Sequence, residues 1–343
     1  MNPRPEAAPF AIEIDGMQAC VPCDGGDTIL GALLRAGCGV PYECSAGGCG
    51  SCKFTLISGA LSEDVAEPAG LKASERSRGK RLACVSRATA NCRIAVRLDP
   101  QYVPAVRPRR VTATFLSSRR ITHDISEFVF CSKGDAQFLP GQYAKLSLPG
   151  LAGPRNYSMC NTANAAGLWH FGIRRVPGGL ASQVLFDQLT VGTEVEIDAP
   201  YSVAYLKDGP DRPVVCVAGG SGLAPMLSIL RGLGARGARR HEPVLFYGAR
   251  TQMDVVPAEY FADIPGFDPD RQYIPVVSEP VADIPWSGAT GWLHEHLRGH
   301  LPPSHGEADF FIAGPPPMVD AVRRMLVLEL RIPVERLHYD RFF

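Results

Sequence analysis

The chain reads as a multidomain protein that combines α+β with α/β architecture, and three observations predict this. Its 343 residues exceed what one hydrophobic core usually organises, and at roughly 100 to 200 residues per domain they call for two or three. Short strand-like segments broken by Gly and Pro fill the stretch up to about residue 200. Beyond residue 210, apolar runs without alternation end in glycine loops and lead into helical patterns, as parallel strands covered on both faces do.

Charge narrows the function classes. The 35 basic and 35 acidic side chains cancel, so no net field favours nucleic acid or an anionic membrane, and any partner must be met by a local patch. Residues 213–230 are uncharged and nearly long enough to span a bilayer. They carry Gly219-Gly220-Ser221-Gly222 and Pro225 in their middle, so they read as strand, tight loop and helix start, and no membrane association is expected. The opening Asn2-Pro3-Arg4-Pro5-Glu6 has no apolar signal core. Eleven cysteines cannot all pair with one another, and together these features predict a cytosolic protein whose thiols serve another purpose.

Seven of the cysteines precede residue 85, and four of them have a telling spacing. Cys44, Cys49 and Cys52 form C-x4-C-x2-C, and Cys84 follows Cys52 after 31 intervening residues. This is the plant-type arrangement in which four thiolates hold a 2Fe-2S cluster. Small residues between the ligands let the backbone wrap the cluster with its amides facing sulfur. Zinc sites usually use two short C-x2-C hooks, and this four-cysteine pattern supplies only one. The first histidine is His123, so a two-histidine Rieske centre is excluded for this segment. Cys20 and Cys23 also form C-x2-C, but they flank Val21-Pro22 in a strand-turn region without a βαβ context and read as structural. Cys38, Cys92, Cys131 and Cys216 read as buried small hydrophobes.

Around these ligands, residues 10–14, 53–57 and 94–98 have strand character, and residues 28–36 have helical apolar spacing. The segment resembles the β-grasp plant-type ferredoxin domain over about residues 9–99, with Arg81-Leu82-Ala83-Cys84 carrying the fourth ligand as in that family. The first domain is accordingly assigned to residues 1–99. Prolines at 100, 104 and 108 then predict an extended, helix-free linker over residues 100–110.

Strand-like runs at residues 111–115, 125–131, 143–148 and 169–176 predict a small antiparallel barrel over residues 111–208. Arg155-Asn156-Tyr157-Ser158 offers a fixed cation, a flat aromatic and a hydroxyl, a set suited to phosphate pairing, ring stacking and a hydrogen bond to a flavin nitrogen. Pro177-Gly178-Gly179-Leu180-Ala181-Ser182 follows a strand and precedes a helical pattern at residues 183–189, which places its amides and Ser182 at a pyrophosphate site.

In that order, after Pro140-Gly141-Gln142-Tyr143, the motifs resemble the FAD-binding barrel of the ferredoxin-NADP reductase superfamily. The resemblance assigns Arg155, Tyr157 and Ser158 to the flavin, with Ser158 at the reacting ring, and Gly178, Gly179 and Ser182 to its pyrophosphate. Two departures stand out. Ala199-Pro200-Tyr201-Ser202 replaces the usual Gly-Pro-x-Gly, so the turn is expected to avoid positive φ. Cys160 replaces the commoner alanine and is expected simply to pack.

The last domain, residues 209–343, opens with the buried-strand run 213–218. Gly219, Gly220, Ser221 and Gly222 then admit a dinucleotide pyrophosphate to the backbone, and Pro225 suits the first helical turn. The loop resembles Gly-Gly-Thr-Gly-x-Ala-Pro of the same superfamily and predicts a Rossmann-like parallel sheet. Further strands are expected at residues 244–247, 273–277 and 310–313. The last of these opens Gly314-Pro315-Pro316-Pro317-Met318, where by resemblance Gly314, Pro315 and Met318 flank the nicotinamide. Ala313 stands where cysteine is usual. Phe342 or Phe343 fits the terminal aromatic that covers the flavin in this family and so takes part in the hydride step. Arg250 is placed to meet a 2′-phosphate, yet the resemblance favours NADH over NADPH. His294, His296, His300 and His305 cluster, but Arg298 between them and the lack of an accompanying acid on the same face point to a solvated helix surface.

The order of ferredoxin, FAD barrel and NAD domain resembles the reductase component of bacterial multicomponent oxygenases, most closely those serving Rieske-type aromatic-ring hydroxylating dioxygenases. It implies a monomeric enzyme that passes electrons from NADH through FAD and a 2Fe-2S cluster to an oxygenase component or an intermediary ferredoxin. Reductases of diiron monooxygenases or of a deoxysugar dehydrase share the order. A non-enzymatic redox sensor or electron-storage protein would explain the cluster but not three dinucleotide-type loops.

Overall fold

The computed structural model describes residues 9–18, 20–237 and 240–342. Its chain divides into two compact units at Arg109/Arg110.

The first unit contains β1 (Phe10–Ile14), β2 (Cys20–Cys23), α1 (Ile29–Arg35), β3 (Lys53–Ser58), β4 (Leu61–Glu63), α2 (Ala73–Arg76), β5 (Lys80–Leu82), β6 (Ser86–Ala88) and β7 (Cys92–Val96). The sheet order is β2-β1-β7-β3-β5, with β1 and β7 parallel and the other pairs antiparallel. This is the expected β-grasp arrangement. Helix α1 forms where its apolar spacing predicts. Thr28 caps it by accepting the Gly31 N–H at 3.0 Å, Ile29, Leu30, Leu33 and Leu34 are buried, and Arg35 in the last turn pairs with buried Asp27.

The linker departs from expectation. Asp99 caps one 3₁₀ turn over Pro100–Tyr102, and its N–H bonds the Gly39 carbonyl at 2.8 Å. Pro100 occupies the first helical position, where its missing N–H leaves no bond unmade. The next strand begins already at Arg109.

The second unit starts with a six-stranded antiparallel sheet formed by β8 (Arg109–Arg120), β9 (Ile125–Ser132), β10 (Tyr143–Ser147), β11 (Arg155–Ser158), β12 (Leu168–Arg174) and β13 (Glu194–Tyr201). The order is β11-β10-β13-β8-β9-β12, and a bridge between Met159 and Phe171 joins its two ends into a barrel. Phe115, Phe128, Phe130, Phe171 and Trp169 fill it, and the Trp169 indole donates to Ser132 Oγ at 3.0 Å. The helix expected at residues 183–189 begins earlier, as α3 (Leu180–Gln183), and continues into a π-turn over Val184–Gln188.

Six parallel strands follow: β14 (Val214–Gly219), β15 (Val244–Ala249), β16 (Tyr273–Val277), β17 (Ala289–Thr290), β18 (Asp309–Gly314) and β19 (Leu337–Arg341), ordered β17-β16-β15-β14-β18-β19. Their helices are α4 (Leu223–Ala235), α5 (Pro269–Gln272), α6 (Leu293–His300) and α7 (Pro316–Arg324). The strand order reverses direction between β14 and β18, where open α/β sheets bind ligands. Ala224 of α4 packs on Gly172 of β12, Ser228 donates to the Asn161 carbonyl at 2.6 Å and Arg231 to the Cys160 carbonyl at 2.6 Å, so α4 seats against the barrel, whose Ile121, Ile125 and Cys160 join the hydrophobic cluster around that helix. Among the described residues no helix is long and apolar enough to cross a membrane.

One expected feature is overturned. The turn after β13 does not avoid positive φ: Ser202 adopts φ +94° in place of glycine. The conformation is held by side-chain bonding, because its buried hydroxyl donates to Asp340 and accepts the Ala204 N–H at 2.9 Å.

Candidate functional site

The loop before β3 gathers Cys44, Cys49 and Cys52, and Cys84 follows β5, so the sheet pairing of β3 with β5 brings distant ligands together. The Ala83 N–H bonds the Cys52 carbonyl at 2.9 Å. Amides from Ala46 and Cys49 point at Cys44 Sγ at 3.4 and 3.3 Å, and the Ser51 amide points at Cys49 Sγ at 3.5 Å. Hydrogen bonding between the two thiols, more than any other cause, holds Cys49 down to about 4 and pushes Cys44 up. That contact favours ionisation at Cys49 and opposes it at Cys44. Gly50 and Gly70 lie backbone against backbone, with no room for a Cβ on either, and Gly50 has φ +75°. An all-thiolate, amide-lined loop of this kind fits an iron–sulfur cluster.

In the barrel, Arg155, Tyr157 and Ser158 lie along β11, with Ser158 opposite Tyr143 and Tyr157 opposite Ala144. Ser158 is buried. Burial pushes the Tyr157 hydroxyl up to about 12, opposed by the Arg155 charge. The Arg155 guanidinium donates to the carbonyls of Ala152, Gly153 and Pro154 at 3.1–3.3 Å. Ser182 Oγ accepts the Val176 N–H at 2.8 Å and so closes the Gly178–Gly179 loop. Val176 and Leu180, 57% and 63% exposed, rim that loop with apolar surface that a dinucleotide would cover.

At the reversal point of the parallel sheet, a Cβ on Gly219 would strike Met318 Sδ and one on Gly222 would strike the Ala313 carbonyl. The loop Gly219-Gly220-Ser221-Gly222 therefore lies directly against Gly314 and Pro315, and Pro225 sits buried in the first turn of α4. Tyr247 Oη donates to the Gly220 carbonyl at 3.4 Å. Arg250 is exposed beyond the end of β15. The Phe342 N–H bonds the Gly314 carbonyl at 3.0 Å, so this aromatic stands beside the same loop. Phe343 and residues 1–6 lie outside the described residues.

Several site features escaped sequence reasoning. Arg174, in β12, donates to Asp124 at 2.5 Å and lies 3.8 Å from Asp254. Cys160 does more than pack: its buried thiol lies 3.6 Å from Glu127 Oε1. Glu127 is itself buried within β9, between His170 Nδ1 and Arg119, each at 2.9 Å. Its only signal in the sequence is a lone acid in an otherwise apolar strand. Cys38 and Cys131 are half-buried rather than fully enclosed, Cys92 and Cys216 are buried, and Cys20 is exposed. The His296 and His300 rings stack 3.8 Å apart on α6, and the His300 Nδ1 bonds the His296 carbonyl. His123, Asp124 and Asp254 do converge, but Arg174 already sits against both carboxylates.

Family models match in chain order: a 2Fe-2S iron-sulfur cluster binding domain at residues 12–89, an oxidoreductase FAD-binding domain at 112–205 and an oxidoreductase NAD-binding domain at 216–324. The chain is 36% identical to the ferredoxin–NAD(P)+ reductase CarAd of Metapseudomonas resinovorans, over 97% of this chain and all of that one. It is likewise 36% identical to the ferredoxin–NAD+ reductase component of the alkene monooxygenase system of Xanthobacter autotrophicus, over 93% and 97% of the two chains. The solved ferredoxin reductase in carbazole 1,9a-dioxygenase superposes with a TM-score of 0.89 at 34% identity, over 97% of this chain and 98% of that one. The protein belongs to this family of NAD(P)H-dependent flavin iron–sulfur reductases, the electron-transfer components of oxygenase systems.

Proposed function

We propose that the chain oxidises NADH and delivers single electrons to an oxygenase component, or to the ferredoxin that serves it, for hydroxylation of an aromatic compound. The observation that carries this reading is the meeting of the two glycine loops, Gly219–Gly222 and Gly314–Pro315, beside Phe342. This is a dinucleotide cradle attached to a flavin-type barrel. FAD, when bound, supplies the conversion of a hydride into single electrons, and the 2Fe-2S cluster carries them one at a time.

The protein's own residues bind and orient. Cys44, Cys49, Cys52 and Cys84 hold the cluster. Arg155, Tyr157 and Ser158 hold the flavin ring and its chain, while Gly178, Gly179 and Ser182 take its pyrophosphate through backbone amides. Gly219, Gly220, Ser221, Gly222 and Pro225 seat the nicotinamide dinucleotide, with Gly314, Pro315 and Met318 at its reactive end and Phe342 covering the flavin. No side chain has to give or take a proton for the hydride to move, so rate depends on placement. Arg250 is exposed where a 2′-phosphate would meet it, but NADH is the preferred donor. Residues 1–99, 111–208 and 209–343 form the three functional modules, joined at residues 100–110, of a monomeric cytoplasmic enzyme.

One anaerobic visible spectrum tests this reading. Flavin and cluster bands present in the purified protein should bleach on addition of NADH, and faster than with NADPH. Folded protein whose chromophores stay oxidised under NADH would overturn it.

A further inference from the structure

The chain is neutral as a whole, but its charge is not evenly spread around the cluster loop. Residues 72–81, which lead into Cys84, carry Lys72, Arg76, Arg78, Lys80 and Arg81 against the single acid Glu75. Lys53, directly after Cys52, adds a sixth cation. This segment is tied to the cluster loop: the Gly70 N–H bonds the Gly47 carbonyl at 2.9 Å, and Gly70 lies against Gly50. Strand β5, with Lys80 and Arg81, pairs with β3 at Thr55 and Phe54.

The neighbouring acids are already committed. Glu75 is shared by Lys53 at 3.0 Å and Lys80 at 4.0 Å, Glu63 by Arg76 and Arg81, and Asp64 by Arg87 at 2.7 Å. Glu67 remains as one exposed acid on the loop before Pro68, and Glu43, directly before Cys44, is half-buried. Lys72 and Arg78 are exposed and make no ion pair among the described residues. Protection of β5, an edge strand, against pairing with other chains accounts for Lys80 and Arg81. It does not account for Lys72 or Arg78, which lie off the strand.

We infer that this basic face beside the cluster is the electron-exit surface and that its occupant is a one-electron acceptor protein with an acidic rim. The inference rests on the reductase reading and names the chemistry of its partner. Complementary charge concentrates such a partner at the one face where its redox centre comes close to the cluster, and it works through association rate more than through affinity.

The test uses the loaded full-length enzyme, reduced by NADH, with two haem-protein probes: acidic cytochrome b5 and basic cytochrome c. The double variant K72E/R78E should reduce cytochrome b5 about tenfold more slowly at low ionic strength. It should reduce cytochrome c as fast as wild type or faster, and the cytochrome b5 difference should close at high salt. Bleaching of the flavin by NADH should be unchanged, and the visible cluster spectrum, recorded for R78E alone as well, guards against misfolding. Equal cytochrome b5 rates for wild type and variant at low salt would overturn the docking surface. Failure of NADH to bleach the wild-type flavin would instead overturn the reductase reading beneath it.

Discussion

The hydroxyl of Ser202 lies 3.1 and 2.9 Å from the two carboxylate oxygens of Asp340, and both residues are buried. This contact joins the turn that ends the barrel to the last strand of the parallel sheet, two residues before Phe342. Gln142 Nε2 extends the link by donating to the Ser202 carbonyl at 3.3 Å, and the Gln142 carbonyl in turn accepts the Met159 N–H next to Ser158. A continuous polar path thus runs from the flavin-type motif to the C-terminal aromatic.

Ser202→Gly and Ser202→Ala both remove the hydroxyl and leave Asp340 short of a partner, a loss of about 1–3 kcal/mol. Only glycine also relieves the left-handed backbone, worth about 1–3 kcal/mol, less a smaller entropic cost in the unfolded chain. Ser202→Gly should therefore melt higher than Ser202→Ala. Both should slow flavin reduction by NADH about tenfold in stopped flow if the contact sets the position of Phe342, a barrier change of about 1.4 kcal/mol. Wild-type flavin reduction in both variants would show that the contact serves stability alone.

Cys49→Ser separates the two halves of the electron path. Cys49 Sγ accepts the Ser51 amide, and a serine hydroxyl is a poor iron ligand in this setting. The purified variant should lose the cluster bands, keep its flavin, and still bleach with NADH while its cytochrome c reduction falls at least about tenfold. Retention of full cluster absorbance would remove Cys49 from the ligand set.

The difference between what was legible and what was not follows from the range of the interactions. The helical spacing over residues 28–36 and the unalternating run over 213–218 are local patterns, and α1 and β14 appear in the structure where they put them. The 3₁₀ turn at Pro100 was missed because proline was read as a helix breaker, although at a first helical position it is accepted. The φ of Ser202 was missed because its compensating partner, Asp340, lies 138 residues away. Asp124 and Arg174 meet through the pairing of β9 with β12, and Asp254, in the turn after β15, joins them from a third, distant segment.

Gly222→Ala tests the dinucleotide cradle. A methyl there would overlap the backbone carbonyl of Ala313, which cannot swing aside as a flexible side chain would. The loop must then lift from the Gly314 turn, and the amides proposed to face a dinucleotide pyrophosphate lose their alignment. The KM for NADH should rise at least about tenfold, while flavin content and cluster absorbance stay at wild-type level. An unchanged KM would mean that the dinucleotide binds elsewhere.

Glu127 offers a test by pH. Burial alone would raise its carboxyl, but hydrogen bonds and charge from His170 and Arg119 outweigh that and hold it down to about 2 from an ordinary 4.5. A depressed carboxyl stabilises the fold fully above its unfolded value and loses that contribution as pH falls from about 4.5 through about 2. The difference corresponds to about 3 kcal/mol. Glu127→Gln should lower unfolding free energy by about that much at pH 7, since it also leaves Arg119 and His170 facing a neutral amide. Between pH 4.5 and 2 wild type should lose stability more steeply than the variant, so that the two denaturation curves converge. Parallel curves across that window would show that Glu127 is not ionised against these partners in the folded protein.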